Sequence, residues 1–297
     1  MPITIITDRG RSKAMLEYDF MQNAFAAATI VAIVSGLVGY FLVLRGQTFA
    51  GHALAHVGFT GATGAVLFGL PPLWGLVVMT VAAGLGMGLL GERLAQRDVA
   101  IGIVLSLALG LGLLFLHFYT AFATQATAIL FGNVLAVDDS TVWTLLGLGL
   151  LSIAALAVIS RPLLFASLQP ELAEAKGVSL RLFSVLFLGI VALATAECAQ
   201  IVGVLLVFAL MVGPAAAAQR LTSGVGPGLL LSAGLALFQA WAGITLAFYT
   251  DWPSSFWITA LAAGIYLLST LPGLHLLRQS APEQPPVPER VGQQPAE

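Results

Sequence analysis

Between Asp19 and Glu92 the only charged side chain is Arg45. A soluble domain of that length needs a polar outer surface, and this stretch has no residues from which to build one. The rest of the chain agrees: of 297 residues, 59% are hydrophobic and 9% charged, against roughly 25% charged in ordinary soluble domains. The sequence therefore describes an all-α polytopic membrane protein. Its net charge of -2 lacks the basic excess of a nucleic-acid-binding surface. Cys198, the single cysteine, rules out an intrachain disulfide and a cysteine-based zinc cluster; it reads as an inert small residue.

A bilayer core about 30 Å thick needs about 20 apolar helical residues per crossing. Nine stretches qualify as transmembrane helices: Phe20 to Leu44, Gly51 to Gly69, Leu73 to Leu90, Val99 to Tyr119, Val142 to Ile159, Phe183 to Ala196, Ile201 to Ala218, Gly228 to Phe248 and Ser254 to Leu271. A tenth stretch, Thr127 to Val137, is too short to span and reads as a partial or re-entrant helix, followed by Asp138 and Asp139 as a solvated cap for the next helix. As one helix, Leu182 to Ala218 would run more than about 50 Å at 1.5 Å per residue, so a break is expected, and the polar cluster Thr195, Glu197 and Gln200 is its natural place. Pro71 with Pro72, and Asp251-Trp252-Pro253, mark other breaks. Trp74, Trp143, Trp252 and Trp257 fall near helix ends, as interfacial anchors do.

Nine crossings place the termini on opposite sides. With the N-terminus outside, Arg45, Arg93, Arg97, Arg161, Lys176, Arg181, Arg220, Arg278 and Arg290 all fall in the cytoplasm, and only Arg9, Arg11 and Lys13 fall outside. Those three precede Met15, and a start there would remove the conflict. Residues 1–18 lack the apolar core and cleavage site of a secretory signal. Residues 19–273 form the transmembrane domain, and 274–297 a Pro-rich, disordered cytoplasmic tail. Gly58, Gly61 and Gly64, Gly84, Gly86 and Gly88, and Gly102, Gly110 and Gly112 are expected to let helix backbones approach closely.

Three groups could carry chemistry. His52 and His56 lie four residues apart, on one helix face, where two imidazoles either converge on a cation or serve as polar packing near a helix start. Ala53 stands where a zincin would have its glutamate, and only His117 and His275 remain as further histidines, so metal-assisted hydrolysis is unsupported. Glu197 is the one acid well inside the apolar stretches; with the helix broken at Ala196 it lies at the outer face, either attracting a cation or as a hydrated loop acid. Finally, Gln169-Pro170-Glu171-Leu172-Ala173-Glu174-Ala175-Lys176-Gly177 reads as a short helix with Pro in its first turn and Lys then Gly at its end. It is either an ordinary surface helix or a docking helix for a cytoplasmic protein. No Gly-x-x-x-x-Gly-Lys-Ser/Thr occurs, so the chain binds no ATP through a P-loop.

Several stretches together resemble the permease subunits of ABC importers for zinc, manganese or iron, the family that includes the high-affinity zinc importer permease. They are Met15 to Ala24 (MLEYDFMQNA), Leu44 to His56 (LRGQTFAGHALAH), Asp98 to Ile103 (DVAIGI), Pro170 to Val178 (PELAEAKGV) and Gln200 to Ala216 (QIVGVLLVFALMVGPAA). The resemblance implies a permease fold, two permease copies framing a path, a cytoplasmic ATP-binding subunit and an extracytoplasmic metal-binding protein, all in the bacterial inner membrane. It makes Gln169 to Gly177 the ATPase-coupling segment. His56 matches the family's histidine in its Asp-Ala-Leu-Ala-His-like motif, while His52 stands where the family usually has Asp. That nitrogen-rich pair suits zinc at least as well as manganese. The expectation is thus a permease that hydrolyses no ATP itself, holds no resident cofactor and passes a divalent transition metal, zinc first, with His52, His56 and Glu197 as candidate metal contacts. Manganese or iron import and secondary metal transport are the alternatives.

Overall fold

In the computed structural model, residues 15, 17–89, 94–118, 129–132 and 134–271 are described. The elements are α1 (Asp19–Leu44), α2 (Thr48–Leu67), α3 (Pro72–Leu89), α4 (Leu94–His117), a 3-10 turn (Val134–Ala136), α5 (Asp139–Leu168), α6 (Pro170–Ala175), α7 (Leu180–Val202), a second 3-10 turn (Val204–Leu206), α8 (Val207–Leu221), α9 (Val225–Thr250) and α10 (Ser254–Ser269). The expected partial helix is represented by helical residues 129–131 and the first 3-10 turn. Residues 1–14 and 272–297, including most of the two expected terminal segments and His275, lie outside the described residues.

Among the described residues six spans are long and apolar enough to cross a membrane: α1, α3, α5, α7, the second 3-10 turn with α8, and α9. The apolar part of α4, Ile101–His117, and α10 are shorter. The histidine helix α2 has 20 residues but is not among the six; its histidines, threonines and glycines dilute its apolar character, and protein rather than lipid surrounds most of it. Each of the nine expected segments thus has a helix among its described residues, and six of these helices have the length and composition of a crossing.

Three boundaries differ from the sequence expectation. The helix expected to end at Ile159 runs on to Leu168 with Pro162 inside it; one proline removes one backbone bond without ending a long helix. The break expected at Thr195, Glu197 and Gln200 is not there: α7 continues through all three and stops at Gly203, whose φ of 84° ends the helix. The next helix accordingly starts at Val207, not Ile201.

The core is built around α1, which packs on α5, α7, α8 and α9, while α3 lies between α2 and α7. Burial ranks them: 67% of the most apolar part of α1 and of α7 is inside the protein, against 28% for α5, a helix at the rim of the bundle. Small residues allow the tightest crossings. A Cβ on Gly61 would meet the Gly75 backbone, and one on Gly39 the Met211 carbonyl. By contrast Gly86, Gly102 and Gly110 face open space, with nothing within 4 Å. Trp74, Trp143 and Trp252 are exposed, and Trp257 donates its indole N–H to Thr250 Oγ1 at 2.9 Å.

Asp138 caps α5: its carboxylate accepts from the Ser140 hydroxyl at 2.6 Å and the Thr141 N–H at 3.2 Å. The Ser140 bond, then the Thr141 bonds, hold the carboxyl below its ordinary value. A carboxyl lowered by folding stabilises the fold above its unfolded value and loses that contribution as pH falls through the folded one. Acidification below about pH 4 is therefore expected to fray the first turn of α5, measured as faster amide exchange at residues 140–142, and Asp138→Asn should flatten that pH dependence.

Candidate functional site

His52 and His56 project from the first turns of α2. The chain reaches that helix through an elbow in which Gly46 takes φ 62° and buried Gln47 forms the N-cap. The i, i+4 spacing brings the imidazoles together as expected, with ring centroids 4.7 Å apart and an interplanar angle of 85°. His56 is 9% exposed, and its Nδ1 is buried with no hydrogen-bond partner. Buried polar atoms are almost always satisfied, so an orphan imidazole nitrogen beside a second imidazole keeps the pair a candidate for holding a cation.

His56 is buried, while His52 is half-buried and faces the exposed Phe208. Phe208 of α8 meets the His52 ring edge-on at 5.9 Å, and one turn further along α8 the Met211 backbone packs on Gly39, more than a turn inside α1. Phe208 was not legible as a neighbour of His52, since it reads as one apolar residue among many. Among the described residues no three His, Cys, Asp or Glu side chains gather into a metal centre. Two nitrogens would leave the remaining coordination positions of a bound ion to water or to groups outside this chain.

Glu197 does not join the histidines. It is 0% exposed within the last turns of α7, where the Ser152 hydroxyl of α5 donates to its Oε1 at 3.0 Å. Its Oε2 has no partner and faces Gly149, beside Ile30 and Val34. The expectation of an outer-face position next to a chain break is thereby corrected: the acid is buried between α1, α5 and α7. Ser152 carries no sequence signal that would have marked it as the partner. Cys198 is free and buried, and His117 lies at the end of α4.

The segment Gln169 to Gly177 folds as predicted. Gln169 is at once the last cap of α5 and the first of α6, Pro170 opens the helix, and Gly177 with φ 81° closes it, the Val178 N–H donating to the Ala173 carbonyl at 2.9 Å. Ala173 is buried, while Glu171, Leu172, Glu174, Ala175 and Lys176 are exposed. This short helix thus exposes an apolar Leu172 between the carboxylates of Glu171 and Glu174.

A bundle of apolar helices carrying a histidine pair, with six spans long enough to cross a membrane and no nucleotide-binding motif in the sequence, has the make-up of a membrane permease. The model of the ABC 3 transport family matches residues 17–272, and the chain belongs to that family. It is thus a multi-pass permease subunit of an ABC transporter in the bacterial cytoplasmic membrane, not an enzyme. The chain is 32% identical to the manganese transport system membrane protein MntC of Halalkalibacterium halodurans, over 86% of this chain and 88% of that one. It is 29% identical to the manganese import system permease protein ScaB of Streptococcus parasanguinis, over 85% and 90%. Among solved structures it resembles PsaBC from Streptococcus pneumoniae in complex with Fab, with a TM-score of 0.80 and 27% identity over 91% of this chain and 99% of that one.

Proposed function

We propose that this chain imports a divalent transition metal, as a pair of permease copies driven by cytoplasmic ATP-binding subunits and supplied by an extracytoplasmic metal-binding protein. One observation carries the reading: the buried, unpartnered Nδ1 of His56 beside the His52 ring inside the bundle. The manganese names of its relatives support a metal as cargo. Between ions, the nitrogen pair favours zinc, because replacing a carboxylate by an imidazole removes a hard oxygen donor; the relatives' names favour manganese. The distribution of positive charge supports an N-terminus outside and α6 in the cytoplasm, where its exposed face would meet the ATPase.

Uptake of labelled zinc into proteoliposomes containing this chain, its ATPase and its binding protein is expected only with ATP inside. Zinc should be displaced by unlabelled zinc at lower concentration than by manganese. The reverse order of competition would make manganese the cargo, and uptake driven by an ion gradient without ATP would overturn the importer reading.

A further inference from the structure

Arg45, the one charge between Asp19 and Glu92, ends α1 and begins the elbow that leads to the histidine helix. Its guanidinium donates to Ser167 Oγ at 2.9 Å, a contact bridging α1 and α5. The same guanidinium sits 5.6 Å from the centroid of the buried Phe187 ring of α7. Ser167 is in turn anchored: its hydroxyl donates to the Leu163 carbonyl at 2.5 Å. It lies in the last turn of α5, two residues before the Gln169 shared with α6. From the other side, the Lys176 ammonium at the end of α6 lies 5.7 Å from the centroid of Phe165, in that same turn.

The last turn of α5 is thus held by one cation from α6 and by another from the elbow of α2. A planar guanidinium can donate along its edge while offering its face to an aromatic ring, so one side chain fixes two helices at once. Hydrogen bonds and packed side chains that join rigid helices are among the contacts that carry coupling between distant parts of a protein. We propose that Arg45 is a positioning residue that makes the histidine-bearing elbow move together with the Gln169 to Gly177 segment. The proposal rests on the metal-import reading for its substrate and on the docking role of α6 for its driving force.

The test uses the complete transporter with Arg45→Gln, Arg45→Lys and Ser167→Ala. Arg45→Gln is expected to assemble with the ATPase and bind metal as the native complex does. Metal carried per ATP hydrolysed should fall about five- to tenfold. Ser167→Ala, which removes only a hydroxyl, should lower the same ratio less, and Arg45→Lys should restore part of it. A merely structural role would lower assembly, hydrolysis and uptake together and leave the ratio unchanged, which would overturn the proposal.

A second measurement is independent of the cargo. With Cys198→Ser as background, spin labels at Thr48→Cys and Leu168→Cys report the distance from the elbow to the end of α5. One narrow distribution shared by the nucleotide-free and ATP-bound complexes is expected, separating into two with Arg45→Gln. Identical distributions with and without Arg45 would overturn the proposal. If the native complex carried neither zinc nor manganese, the metal reading would fall and the spin-label distances alone would decide the role of Arg45.

Discussion

Replacing His56 with alanine is expected to remove metal stimulation of ATP hydrolysis in the assembled transporter while leaving assembly and basal hydrolysis intact. His56 is the more buried of the pair and its Nδ1 has no hydrogen-bond partner, which makes it the stronger candidate ligand under the proposed function. Even groups that merely support a metal ligand cost about ten- to hundredfold in affinity or activity when removed, and losing one of two nitrogens should cost at least as much. If both rings act on one ion, as proposed, the paired change His52→Ala and His56→Ala should be little worse than His56→Ala alone. His52→Asp is the sharper experiment. A carboxylate beside an imidazole restores a hard oxygen donor and should shift competition from zinc toward manganese. Stimulation that survives His56→Ala would remove the pair from the path.

What the sequence made legible, and what it did not, divides along physical lines. The near absence of charge from Asp19 to Glu92 requires helices, because only they satisfy the backbone in lipid within one segment. The i, i+4 histidines and the Pro-to-Gly frame of α6 are local signals that the fold keeps. The misplaced break shows the limit. A polar cluster in an apolar run looks like a loop, yet Glu197 stays helical because Ser152, distant in sequence, supplies a hydrogen bond inside the bundle. Arg45 was conspicuous as a charge, but its partners Ser167 and Phe187 depend on which helices pack together, and helix pairing leaves no periodicity along the chain. The same holds for Phe208 against His52.

The largest effect on folding is expected from Gly203→Ala. At φ 84° and ψ 155° Gly203 occupies a region of backbone space open essentially to glycine alone. A Cβ there would also land on the backbone of residues 130–132, and one on Gly132, itself at φ 72°, would strike the backbone of Gly203. The conformational term alone is about 1–3 kcal/mol, and the collision adds to it because two backbones cannot rotate out of the way as a side chain can. Gly203→Ala should therefore lower the melting temperature of the purified protein in detergent or abolish its accumulation. Gly86→Ala is the control: that glycine lies within α3 with nothing within 4 Å, and the exchange should be neutral or stabilising by up to about 1 kcal/mol. A Gly203→Ala protein as stable as native would contradict the assigned geometry. The strained glycine also positions the site, because the turn it permits ends α7, sets the short turn Val204–Leu206 and starts α8 at Val207, which is what carries Phe208 to the His52 ring. A variant that folds despite the substitution should consequently show weakened metal stimulation as well, since moving the start of α8 moves Phe208, whose ring meets His52 edge-on.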